Sequence, residues 1–129
     1  MSMKNDTIVI KNNKIYTSYF ARASKIIPDR RLVSVALSTP DYWGGSFARQ
    51  FNPSASLIHK IKNKEITPEE YEIYYKAEVL DKLDPVDEAV ELYGKVLCCW
   101  EKPGNFCHRH IILKWLADAV GDSIIGEEI

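Results

Sequence analysis

A chain of 129 residues, 46% apolar and 27% charged, has the size and composition of one globular domain with a single core that needs no staples. Its apolar runs are far too short to span a bilayer, and residues 1–6 are polar with only a three-residue apolar run after them, so neither a membrane span nor a secretory leader is expected and the location read from the sequence is cytoplasmic. A formal net charge of -1 excludes binding to nucleic acid by bulk electrostatics, although Lys and Arg gather in residues 11–64, Arg22, Arg30, Arg31 and Arg49 among them, and the segments after Thr67 are rich in Glu and Asp.

In chain order, residues 7–10 and 14–20 are β-like runs separated by the turn residues Lys11, Asn12 and Asn13. Thr17 and Ser18 lie near the carboxyl end of the second run and Arg22 follows on a short helix over 21–26, which places two hydroxyls and a guanidinium at one sheet edge. The same residues also suit a strand and an exposed helix face with no ligand at all. After a turn at Pro28 and Asp29, residues 32–37 (LVSVAL) form a nearly continuous apolar run, the pattern of a strand covered on both faces in a parallel sheet. A long connection over 38–53 follows. It carries Tyr42 and Trp43, which could stack on a base or planar ring or else pack over the core.

The second half is mostly helical. A short helix is expected over 54–61, and Thr67-Pro68-Glu69-Glu70 is a strong start, with Thr67 as cap, Pro68 at the first position and Glu70 completing a capping box, for a helix running to about residue 83. Asp84-Pro85 opens another helix to about residue 93, and Gly94 hands the chain to an apolar strand over 95–100. A polar turn with Pro103 and Gly104 leads into a helix from residue 106 or 107 to about 120, stopped by Gly121, and residues 123–125 suit one last short strand. This alternation predicts a single three-layer α/β/α domain with a mostly parallel sheet, without repeats or linkers.

The chemistry concentrates between the strand at 95–100 and the helix after it. Glu101, Cys107, His108, Arg109 and His110 meet where a strand's carboxyl edge faces a helix N-terminus, whose unpaired N–H groups and partial positive charge favour anions. Three cysteines without a secretory signal do not suggest a disulfide framework. Cys98 and Cys99 read as small buried hydrophobes, whereas the first turn of a helix beside Arg109 is where a thiol becomes reactive.

Three readings of this junction compete. Cys107 is a nucleophile with His108, His110 or Glu101 as proton partner; or Arg109 anchors an anion while Cys107 merely packs; or zinc is held by Cys98 or Cys99 with Cys107 and a histidine, which no CxxC or HxxxH spacing supports. Arg109 needs a negative partner so near the positive end of a helix, either Glu101 or a bound ligand.

The segment VLCCWEKPGNFCHRHIILKWL resembles the signature of the family named domain of unknown function 488, most specifically in Glu101 and the triplet Cys107, His108, Arg109. The strands KIYTSYFAR and LVSVALSTP are also similar to that family's start, although Thr17-Ser18-Tyr19 and Ala36-Leu37-Ser38 stand where members carry a Gly-His-Ser-like turn and an Asp-x-Arg. The resemblance implies an α/β domain of bacterial or phage type and, by analogy, a nucleotide or nucleic acid ligand.

The expected function is thus a small enzyme acting on a phosphate-bearing ligand, with a noncatalytic anion-binding or protein-interaction module as the alternative. Cys107, His108 and Glu101 are the catalytic candidates, and Arg109, His110, Thr17, Ser18, Arg22, Tyr42 and Trp43 the ligand-binding ones. The partner is a small anionic ligand or nucleic acid. No cofactor, metal or membrane is called for, and no heptad pattern sets an oligomeric state.

Overall fold

A computed structural model describes residues 8–102 and 106–129. The turn residues Pro103 and Gly104, and Thr7 at the start of the first expected run, lie outside them. Among the described residues five strands form one sheet in the order β3-β2-β4-β1-β5, and every pairing is parallel. These are β1 (Ile15–Tyr19), β2 (Leu32–Ser34), β3 (Ser46–Phe47), β4 (Val96–Cys99) and β5 (Ile125–Glu128). The three central strands are buried along almost their whole length, as expected for strands covered on both faces, and the small hydroxyls Thr17, Ser18 and Ser34 are buried with their apolar neighbours.

The helices are α1 (Phe20–Ile26), α2 (Ala55–Lys62), α3 (Pro68–Glu78), α4 (Pro85–Leu92) and α5 (His108–Val120). Side chains close the amino ends of α2, α3 and α4. Ser54 accepts from Leu57 N–H at 3.1 Å, Thr67 and Glu70 exchange both bonds of a capping box around Pro68, and Asp84 accepts from Val86 N–H at 2.9 Å. Each such cap stabilises by about 1 kcal/mol.

Topology sets the layers. The connection from β1 through α1 to β2 runs one way across the sheet, and the one from β4 through α5 to β5 runs the other. Right-handed crossovers in opposite directions lie on opposite faces, so α1 covers one face and α5 the other, with α4 packed beside α5. Phe20, Trp43 and Trp100 meet edge-to-face on the α1 side, at 4.9 and 5.0 Å between centroids. On the other side the Tyr75 hydroxyl donates to the Phe51 carbonyl at 2.6 Å, and Ile112 and Leu116 of α5 are fully enclosed.

Several expected boundaries shift. Residues 8–10 form no strand, and the strand expected over 32–37 pairs only as Leu32–Ser34. The connection over 38–53 contains β3 and a 3-10 turn, Arg49–Phe51. The helix begun by Thr67 ends at Glu78, because Val79 leaves helical backbone (φ -121°, ψ -63°), and a 3-10 turn, Leu80–Lys82, follows. The final strand covers Ile125–Glu128 rather than 123–125, and Gly126 makes its approach feasible: a Cβ there would lie 2.5 Å from the Tyr16 ring on β1.

Candidate functional site

A cleft of about 950 Å³ opens beyond the carboxyl ends of β2 and β4. Its floor is the chain at and just after the ends of those strands, Ala36 to Ser38 and Cys99 to Glu101; one wall is α2 with His59 and Lys62, and the other is the start of α5 with Phe106, Cys107 and His108. The cleft thus sits where the parallel sheet presents its strand ends to a helix N-terminus.

Cys107 is the N-cap residue of α5, in extended backbone, and its side chain caps no N–H. No acidic residue stands in the first turn of α5. His108, the first helical residue, is 8% exposed. Its Nε2 lies 2.7 Å from the Val35 carbonyl oxygen, which can only accept, so Nε2 carries the proton and Nδ1 keeps its lone pair. That lone pair faces Cys107 Sγ at 3.9 Å. Burial pushes His108 down to about 4, helped by the positive charges of Arg109 and His110 and opposed by the bond to Val35. The imidazole is therefore neutral in the ordinary pH range, with its orientation and tautomer held by the main chain.

Cys107 Sγ is bonded to Cys99 Sγ, 2.02 Å away, so a disulfide stands where the sequence suggested none. Separation along the chain gives no sign of it. Cys99 closes β4 and Cys107 opens α5, and the placement of these two elements brings the sulfurs together. Cys98, the remaining thiol, points away into the core; burial pushes it up to about 12, with Glu128 adding to the rise and Arg109 and the Val33 main chain opposing it. A thiol so buried and so raised is a poor nucleophile.

Arg109 is fully enclosed. Its Nε donates to Glu128 Oε1 at 3.1 Å, and Nη1 donates to the Glu101 carbonyl at 2.7 Å and to Cys99 Sγ at 2.8 Å. Nη2 also lies 3.1 Å from Glu128 Oε1 but off the hydrogen-bond direction, so it contributes charge attraction alone. The carboxylate expected from Glu101 thus comes from Glu128. Glu101 offers Arg109 its main-chain oxygen while its side chain is exposed at the cleft. His110 binds the other oxygen of Glu128. Partial burial alone would raise the Glu128 carboxyl, yet the bond from His110 and the charge of Arg109 hold it below its ordinary range.

Of the residues singled out in the sequence, the cleft brings together Cys107, His108 and Glu101. Arg109 and His110 turn toward β5 instead. Thr17 and Ser18 are buried in the sheet, with Ser18 donating to the Ile129 carbonyl at 3.0 Å. Arg22 lines a separate hollow of about 230 Å³ beside Tyr19 and Lys25. Tyr42 is exposed, and Trp43 packs on Phe20 and donates to the Ser46 carbonyl at 3.2 Å. His59 and Lys62 are the additions that the sequence reading passed over. Their spacing of three on a short helix was the available signal that they share a face.

Among the described residues no group of three or more His, Cys, Asp or Glu is placed to hold a metal ion, and no helix is long and apolar enough to cross a membrane. Compared with protein-family models, curated proteins and solved structures, the chain matches none.

Proposed function

We propose that the protein is a small cytoplasmic enzyme in which reduced Cys107 acts as a nucleophile on a phosphate-bearing ligand, such as a nucleotide or a nucleic acid, held in the cleft between α2 and α5. One observation carries this reading: Cys107 Sγ lies 3.9 Å from the free Nδ1 lone pair of a neutral histidine, on the wall of a cleft large enough for a nucleotide. In the reduced protein the thiol proton passes to Nδ1 as the sulfur attacks phosphorus, the bond from phosphorus to the leaving oxygen breaks, and water then hydrolyses the phosphorus–sulfur bond to release Cys107. A base held near 4 does not form a standing thiolate–imidazolium pair, so the proton moves during attack rather than before it. Glu101 at the rim is placed to exchange a proton with the leaving group.

The phosphate assignment rests on charge. His59 and Lys62 line the cleft from α2, and α5 begins on the opposite wall with no acidic residue in its first turn. Kinship with the family of domain of unknown function 488 is proposed on the same residues, since Glu101, Cys107 and His108 of the shared signature all line this cleft.

The second reading, a noncatalytic binding module, is favoured by the disulfide, which leaves Cys107 without a nucleophilic sulfur. Cys107→Ser separates the two when reduced protein is screened against nucleotides and oligonucleotide ends. Turnover that disappears in the variant while ligand still raises the melting temperature supports the enzyme; the same thermal shift in both proteins with turnover in neither supports the module. Absence of any shift with phosphate ligands contradicts both.

A further inference from the structure

We infer that Cys99 and Cys107 form a reversible dithiol–disulfide couple that exchanges with thiols entering the cleft, with Cys107 the sulfur attacked and Cys99 the sulfur released. This does not depend on a phosphate ligand or on turnover. Three features carry it. The two sulfurs are bonded, and both residues, although only 2% and 5% exposed, border the cleft, which Cys98 does not. Arg109 Nη1 donates to Cys99 Sγ at 2.8 Å, so a buried cation stands where the departing sulfur gains its electron pair. Cys107 occupies the N-cap position of α5 beside the Nδ1 lone pair of His108, where its own thiol has an acceptor once released.

The exchange balances as follows. An external thiolate attacks Cys107 Sγ, the bond to Cys99 breaks, and its electron pair leaves on Cys99 Sγ facing the guanidinium. A second external thiolate attacks the sulfur of the first in the mixed disulfide, releasing Cys107. The protein gains two electrons and two protons as two thiols become one disulfide. Attack in the opposite sense would leave the electron pair on Cys107, which has no guanidinium against it. Arg109 thereby has a second task beside its pairing with Glu128: it sets the direction in which the bridge opens.

The test equilibrates the wild-type chain in buffers of reduced and oxidised glutathione, blocks thiols with an alkylating reagent and maps the cysteine peptides by mass. Expected is a single transition in which Cys99 and Cys107 convert together to a bridge, Cys98 stays a thiol throughout, and any glutathione adduct trapped midway sits on Cys107. Adducts that accumulate on Cys99, a bridge that includes Cys98, or three free thiols in fully oxidising buffer would each overturn the inference. Cys98→Ala should leave the transition unmoved, and a shift of more than about tenfold in its midpoint counts against it. Because no nucleotide is present, failure here is distinct from failure of the phosphate-ligand reading.

Discussion

Arg109 on the first turn of α5 and Glu128 on the edge strand β5 form an ion pair in which the guanidinium is wholly enclosed and the carboxylate side chain is 28% exposed. It explains how a cation is tolerated at the positive end of a helix. The same pair fastens the final strand to the helix that carries Cys107 and His108, so the edge of the sheet and the wall of the cleft are mechanically one unit.

Arg109→Lys and Glu128→Gln should each lower stability by about 1 to 3 kcal/mol, and the double variant should cost less than their sum. Lys cannot reach Glu128, the Glu101 carbonyl and Cys99 together, because it lacks the planar fork. Urea unfolding of the four proteins measures this. Strict additivity would mean that the pair carries no coupling.

Stability should fall in acid in two stages. His108 is held down to about 4 from an ordinary 6.5, so the unfolded chain takes up a proton that the folded one refuses. Its contribution is whole above pH 6.5 and is lost as pH falls toward 4, about 3 kcal/mol in all. Glu128, lowered from 4.5, contributes stability present above that value and lost as pH falls further. Urea midpoints measured across this range should drop most between pH 6.5 and 4, and His108→Gln should flatten that part of the curve.

Gly126→Ala should destabilise by about 1 to 3 kcal/mol, since its Cβ would press on the Tyr16 ring and force β5 away from β1. The same shift withdraws Glu128 from Arg109. Hydrogen exchange should therefore quicken both in β5 and in the first turn of α5, whereas a purely local effect would leave α5 unchanged.

The elements that the sequence displays are those whose signal is local. The runs around Val33 and Leu97 are largely apolar, and the one around Thr17 mixes apolar residues with small hydroxyls, because helices cover both faces of a parallel sheet. Thr67, Pro68 and Glu70 announce α3 because capping is chemistry within four residues. What stayed hidden depends on distant partners. β3 is two residues long and exists through pairing with β2, and β5 is placed by Gly126 sliding past Tyr16. In the site, Cys107, His108 and Glu101 were legible as a cluster along the chain. The partner of Arg109 was not, because Glu128 lies 19 residues away and arrives only when β5 joins the sheet. The pairing of Cys99 with Cys107 was hidden although they lie only 8 residues apart, because it depends on how the end of β4 and the start of α5 are placed.

Cysteine labelling with and without a mononucleotide tests the central claim most directly. Reduced protein is treated with iodoacetamide near neutral pH, and the labelling rates of Cys107 and Cys98 are followed by mass. Cys107, on the cleft wall beside His108, should label at least about tenfold faster than the buried Cys98 thiol, and saturating nucleotide should slow Cys107 while leaving Cys98 unchanged. Equal rates for the two thiols, or a Cys107 rate indifferent to every nucleotide and oligonucleotide tried, would contradict a nucleophile placed in a phosphate-ligand cleft.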